Sequence, residues 1–197
     1  MPDLTLANAL MLIAAYLVGG ISPGYILVRV ARGIDLRTVY SGSLGATNAG
    51  RVLGRRVFYS VLAIDILKGF IIVLLARYLG FSAAIVAGVT VTVIAGHVWP
   101  AWFRFHGGKG IATTIGAFTA LDFILLPTGG AVLLAFYLLT RSFDISVIAT
   151  VIAMPIIALA ISYPMHITLA LVISAAIILI AHKDNILEAL SASGKNE

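Results

Sequence analysis

Apolar runs of about the length of a membrane span recur along this chain, and that feature leaves few folds open. A helix crossing the ~30 Å hydrocarbon core of a bilayer needs about twenty apolar residues, because each residue advances it by ~1.5 Å. Such runs cover Leu4 to about Val30, Val57 to Leu79, Ala83 to Val98, Phe123 to Thr140, Ile145 to Ile161 and Ile167 to Ala181, with a shorter one at Ile111 to Leu121. In lipid the backbone must satisfy its own polar groups, so these runs are expected to be helices. The expectation is an all-α integral membrane protein, one polytopic domain over residues 1–197 with seven transmembrane helices. The weakly delimited 111–140 region leaves six or eight open. Composition agrees: 11% of the residues are charged, against about 25% in a soluble domain. The first run has no basic segment before it and is long enough to span, so it reads as a retained helix and not as a cleaved signal. Gly19-Gly-Ile-Ser-Pro-Gly24 should kink it, and Pro127-Thr-Gly-Gly130 should interrupt the fifth run.

Charge placement sets an orientation. Eleven of the 13 Lys and Arg residues fall in the loops after the first, third and fifth spans, in the tail, or at their edges. Only Arg77 lies near the opposite side, and Lys68 falls inside a span. Excess cations mark the cytoplasmic side, so the N-terminus is expected outside and the C-terminus in the cytoplasm. In a membrane protein a net charge of +5 points to orientation and anionic partners, not to nucleic acid. There are no cysteines, which excludes disulfides, thiolate catalysis and cysteine metal sites. No HExxH or acidic cluster suggests a metal, and no cofactor is implied.

Three polar islands share the cation-rich face. The first, within loop 31–56, reads Ser41-Gly-Ser-Leu-Gly-Ala-Thr-Asn48, with Arg51 following. Small residues let backbone N–H groups converge on a phosphate, and a guanidinium can clamp an anion with two bonds. The plain alternative is a flexible polar loop. The second is Phe105-His-Gly-Gly-Lys-Gly-Ile-Ala-Thr113, in which Gly107, Gly108 and Gly110 bracket Lys109 at the start of a helix. Glycines allow close backbone approach, and a helix N-terminus adds partial positive charge. The alternative is a turn with an anchoring lysine. It is not a Walker A loop, which would need glycine at Phe103 and Ser or Thr at Gly110. The third is His182-Lys-Asp-Asn185, otherwise an ordinary helix end. Asp65 and Lys68, one turn apart inside a span, are expected to neutralise each other and to support these loops. His97 is expected to serve structure. No histidine has an aspartate five positions later, so the HxxxxD pattern of other glycerolipid acyltransferases is absent.

Taken together, Ser41–Asn48 with Arg51, Gly96-His-Val-Trp-Pro100 running into Phe105–Thr113, and His182–Ile186 resemble the three signature regions of the bacterial membrane acyl-phosphate:glycerol-3-phosphate acyltransferases. Asp65-Ile-Leu-Lys-Gly69 is similar to that family as well, and the resemblance covers nearly the whole chain in order and spacing. It implies seven helices, an external N-terminus and a cytoplasm-facing active site in the bacterial inner membrane. It implies transfer of a fatty acyl group from acyl phosphate to the 1-hydroxyl of glycerol 3-phosphate, giving lysophosphatidic acid and inorganic phosphate, the first acylation of phospholipid synthesis.

Carried over by position, Ser41, Gly42, Ser43, Gly45, Ala46, Thr47 and Asn48 would cradle the donor phosphate. Gly107, Gly108, Gly110 and Thr113 would shape the second binding loop. Arg51, Lys109, His182 and Asn185 would hold glycerol 3-phosphate and serve catalysis. The proton of the attacking hydroxyl would go to His182 or to a substrate phosphate oxygen. The acyl chain would lie in an apolar groove reached from the bilayer. Three positions depart from the family pattern. Ser43 stands where Asn is usual. Asp144 and Val147 stand where two serines often do, with Ser146 as a neighbouring substitute. The competing reading is a transporter of a small phosphorylated anion. It would place such loops at the midplane between repeats, whereas here they gather on one face. A lipid-binding scaffold would not require three anion sites.

Overall fold

The structure is a computed structural model, and it describes residues 5–184, 186 and 187. Among the described residues every regular element is helical. In chain order these are α1 (Leu6–Gly20), α2 (Pro23–Arg32), α3 (Ala46–Leu53), α4 (Arg55–Tyr78), α5 (Ala83–Val98), α6 (Ile111–Leu121), α7 (Leu125–Thr140), α8 (Phe143–Ala160) and α9 (Met165–Ala181). Four apolar stretches are long enough to cross a bilayer: Leu6–Arg32, Arg55–Tyr78, Ala83–Phe103 and Phe143–Ala160. Three shorter apolar helices, α6, α7 and α9, stand among them. Many large apolar side chains point outward along these helices, Leu74, Leu138, Ile156 and Ile173 among them. An aqueous surface would not carry that load, but lipid does.

The expected kink in the first span is a full break. The ladder stops at Ile21–Ser22, where Ser22 Oγ accepts the Tyr25 N–H and caps α2, with Pro23 at its first position. Proline at that position costs no bond, since the N–H it lacks would have no partner there. The expected interruption at Pro127–Gly130 is not seen. Helix α7 runs through it, because Pro127 falls in the first turn, where an N–H is dispensable. Loop 31–56 differs too: it contains a 3-10 turn at Leu36–Thr38 and the short helix α3.

Glycines set two close helix crossings. On the α1/α5 pair, a Cβ at Gly19 would overlap the Val93 carbonyl, and one at Gly96 would overlap the Tyr16 carbonyl. On the α4/α6 pair, Gly69 lies on Thr113 backbone and Gly116 on Ile66 backbone. Without hydrophobic attraction between helices in lipid, such small-residue contacts let dispersion hold the pair. The main core runs through α1 and α4 to α9. A second core of Val28, Leu36, Leu44, Ala49 and Val61 sits under the first polar island.

Candidate active site

The first island is a shaped loop. Asn48 is only 1% exposed. Its side-chain NH₂ reaches the carbonyls of Leu36, Val39 and Ser43 at 3.1, 3.2 and 2.9 Å. Ser43 Oγ accepts the Gly45 N–H at 3.3 Å. Asp35 and Arg37 form a 2.6 Å ion pair that holds the Asp35 carboxyl down at about 2. The Arg37 guanidinium also lies 5.9 Å from the ring centres of both Tyr25 and Phe103. The loop feeds α3, whose first turn is Ala46, Thr47 and Asn48 and which no side chain caps. Those residues were expected in a loop. As a helix start they present unsatisfied N–H groups and the positive end of the helix dipole. Arg51 lies in the last turn of α3, exposed. Ser41 and Thr47 are exposed as well.

The glycine island follows a 3-10 turn at Ala101–Phe103. Arg104 and Phe105 both adopt left-handed backbone, and His106 Nδ1 bonds the Arg104 carbonyl at 2.7 Å. Gly107 is wedged against the His97 and Val98 carbonyls and Pro100, with no room for a Cβ. Gly108 faces the His97 ring just as closely, and its N–H donates to the His97 carbonyl at 3.0 Å. Gly110, at φ +87, is the left-handed residue that turns the chain into α6. Helix α6 is also uncapped by any side chain, and buried Thr113 lies in its first turn. The first two islands are joined directly: the Leu44 N–H donates to the Gly107 carbonyl at 3.1 Å. Leu44's own carbonyl accepts the Ser22 hydroxyl at 3.1 Å.

Below them lies a buried node. Lys68 Nζ is 2.7 Å from Asp65 Oδ1, 2.7 Å from the Ile21 carbonyl and 2.9 Å from His97 Nδ1. The first pairing is the expected neutralisation. The other two join α4 to the α1/α2 break and to the histidine that backs Gly108. His97 is therefore a support for the glycine loop, as its expected structural role requires. With Nδ1 accepting from the ammonium, Nε2 carries the proton.

The third island meets the second. His182 is buried at the end of α9 and close enough to Lys109 and Asp144 to feel both charges. Desolvation pushes its imidazole below the ordinary 6.5, and Lys109 adds to the effect. His182 Nδ1 donates to the Ile178 carbonyl at 2.8 Å, so in the neutral ring Nε2 is the basic atom. Asn185 lies outside the described residues. Ser146 is no substitute for the two serines of the family pattern. It is fully buried, and its hydroxyl bonds the Ser142 carbonyl at 2.6 Å and Thr140 Oγ1 at 3.0 Å. Asp144 is exposed in the first turn of α8.

Beside the islands an apolar cavity of about 210 Å³ lies among α6, α7, α8 and α9. Ile111, Thr114 and Ile178 line one end, next to Gly110, and Phe118, Leu125 and Met154 line the other. The ensemble thus combines two uncapped helix starts, a lysine and a buried imidazole at one end of an apolar groove, with Arg51 exposed in the last turn of α3. That arrangement can hold phosphates beside an alkyl chain.

Comparison with known proteins agrees. Residues 9–192 match the family described as glycerol-3-phosphate acyltransferase. Glycerol-3-phosphate acyltransferase 1 of Desulfitobacterium hafniense (strain Y51) is 38% identical over 185 residues, covering 94% of this chain and 92% of the relative. The glycerol-3-phosphate acyltransferase of Geobacter sulfurreducens is 39% identical over 181 residues, covering 91% and 92%. The crystal structure of PlsY (YgiH), an integral membrane glycerol 3-phosphate acyltransferase, in its glycerol 3-phosphate form, aligns with a TM-score of 0.84 at 31% identity, over 94% of this chain and 93% of that one. Its lysophosphatidic acid form aligns at 0.82 and 29% identity. With likeness of this degree along more than 90% of its length, the chain is a multi-pass membrane protein and belongs to the glycerol-3-phosphate acyltransferase family.

Proposed function

We propose that this protein moves a fatty acyl group from acyl phosphate to the 1-hydroxyl of glycerol 3-phosphate, releasing lysophosphatidic acid and inorganic phosphate. Acyl transfer follows from family membership, and the forms in which the solved relative was crystallised support the acceptor and the product. The observation that carries the reading furthest is the junction of two uncapped helix starts through the Leu44–Gly107 bond, at the mouth of an apolar groove. The reaction has to hold two phosphates close together and one acyl chain. The backbone of Ser41–Asn48 takes the donor phosphate. Here Asn48 acts through its N–H and its grip on the loop, since its NH₂ is committed. Arg51, Lys109, His182 and Asn185 hold the acceptor.

The acceptor oxygen attacks the acyl carbonyl carbon, the C–O bond to phosphate breaks, and phosphate leaves with the bonding electron pair. The hydroxyl proton passes to His182 Nε2 or to a phosphate oxygen. An acyl phosphate is already activated, so positioning and stabilisation of developing negative charge supply the acceleration without a covalent intermediate. Seven crossings, an external N-terminus and a cytoplasm-facing site in the bacterial inner membrane complete the proposal, supported by the cations gathered on one face.

The test is phosphate release by the purified protein in lipid, given palmitoyl phosphate with and without glycerol 3-phosphate. Acceptor-dependent release with lysophosphatidic acid formation is the expected result. Folded protein that releases nothing, yet carries glycerol 3-phosphate into liposomes, would turn the assignment to transport.

A further inference from the structure

We infer that Gly129 and Gly130 of α7 leave a side window in the groove, through which the far half of the acyl chain passes into the bilayer. This rests on the acyl-transfer reading above. From Ile111 beside the glycine loop to Phe118 is seven residues of α6, a depth of about 10 Å at ~1.5 Å per residue. There the groove is floored by Phe118, Leu125, Met154 and Leu171, all buried. An extended saturated chain advances about 1.3 Å per carbon, the projection of a ~1.5 Å C–C bond. About eight carbons therefore fill the groove, and a longer chain has to leave sideways.

The walls differ in how they allow this. Leu126, Gly129, Gly130 and Leu133 fall at i, i+3, i+4 and i+7, one face of α7, and all four line the groove. Mid-face there is no side chain. A Cβ at Gly129 would meet only Met154 Cε, at 4.0 Å, and one at Gly130 would meet nothing within 4 Å. Gly130 is exposed, and Ile115 and Leu126 along the α6/α7 edge are each 41% exposed. The gap thus opens to the lipid side. The groove holds the near half of the chain and leaves the far half to the bilayer, so chain length beyond the window is not measured.

Gly130→Leu places an isobutyl group in that gap, at a position where its Cβ meets nothing within 4 Å. The experiment compares kcat/KM for octanoyl phosphate and palmitoyl phosphate, at saturating glycerol 3-phosphate, with protein in lipid bilayers. The variant is expected to lose about tenfold or more with palmitoyl phosphate while octanoyl phosphate stays within about twofold, a pocket-size effect. Leu133→Trp narrows the same gap from one turn away and is expected to shift the ratio in the same direction. Equal loss on both donors, or an unchanged ratio in both variants, overturns the window. Wild-type protein that acylates glycerol 3-phosphate from neither donor overturns the acyl-transfer reading itself, and the window with it.

Discussion

Lys68 is buried, ion-paired with Asp65 and hydrogen-bonded to the Ile21 carbonyl and the His97 imidazole. An ammonium so satisfied has nothing left for a substrate. The cations proposed above to bind substrate are Lys109 and Arg51. Lys109→Ala is expected to cut turnover by about 10²–10³, the scale of losing one preorganised charge-stabilising donor, with protein still folded in membranes. Near-normal turnover would remove the central island from the chemistry. Arg51→Ala is expected to raise the KM for glycerol 3-phosphate about 10–100-fold, the worth of charge-assisted hydrogen bonds. An unchanged dependence on that substrate would take Arg51 out of the acceptor site. Lys68→Met should instead cost about 3–5 kcal/mol of stability, because it strands a buried carboxylate. Melting in detergent reads that cost, and Asp65→Asn in the same chain should recover part of it.

His182 gives a pH dependence with a definite sign. Burial and Lys109 set its folded pKa below 6.5, so the unfolded chain binds its proton more readily. Stability from this group is present above the unfolded value and is lost as pH falls through the folded one. The acid limb of kcat/KM should likewise lie below 6.5. If His182→Asn removes that limb, the imidazole is the base. A limb that stays in place assigns the proton to a substrate phosphate. Of these residue roles the sequence revealed the residue types that can bind phosphate and the Asp65–Lys68 pairing. It did not reveal that Asn48 spends its amide on loop carbonyls or that Lys68 reaches the α1/α2 break, since both bonds depend on chain brought in from elsewhere.

At the scale of the element, what was legible follows from local rules. Seryl, prolyl and glycyl residues together mark a helix break, and α1 ends there. The interruption expected in α7 fails by the same rules applied to position, because Pro127 sits in a first turn. Helix α3 was not legible. Eight residues with a glycine make a weak helix signal, and packing against Val28, Leu36, Leu44 and Val61 is what secures it. The glycines of the crossings carry their own prediction. Gly116→Leu has no room against Ile66 backbone, so it should force α4 and α6 apart and lower stability and activity together by at least about 1–3 kcal/mol. A thermal melt of the purified variant measures it. Gly108→Ala acts more narrowly: its methyl displaces the His97 ring and should cost activity out of proportion to stability.

At the scale of the whole molecule, the two ends are built differently. One gathers the three islands and most of the described cations. At the other, Tyr163 donates to Asp122 at 2.5 Å, and desolvation together with that carboxylate pushes the phenol up to about 12; Arg77 bonds the Ala120 carbonyl at 2.6 Å. The proposed ligand chemistry belongs to the first end, and the second fastens helices. Which end faces the cytoplasm can be read directly, because the chain has no cysteine. In intact bacterial cells a membrane-impermeant maleimide should label Ser162→Cys and spare Ser41→Cys; the reverse pattern would invert the topology. The α1/α2 break bears on biogenesis as well. Its freed Ile21 carbonyl finds its ammonium 47 residues later, on α4. Until Lys68 arrives, that carbonyl lacks the ammonium that satisfies it in the finished fold. The break in its finished form, with an ammonium on the Ile21 carbonyl, thus exists only once α4 has joined the first span.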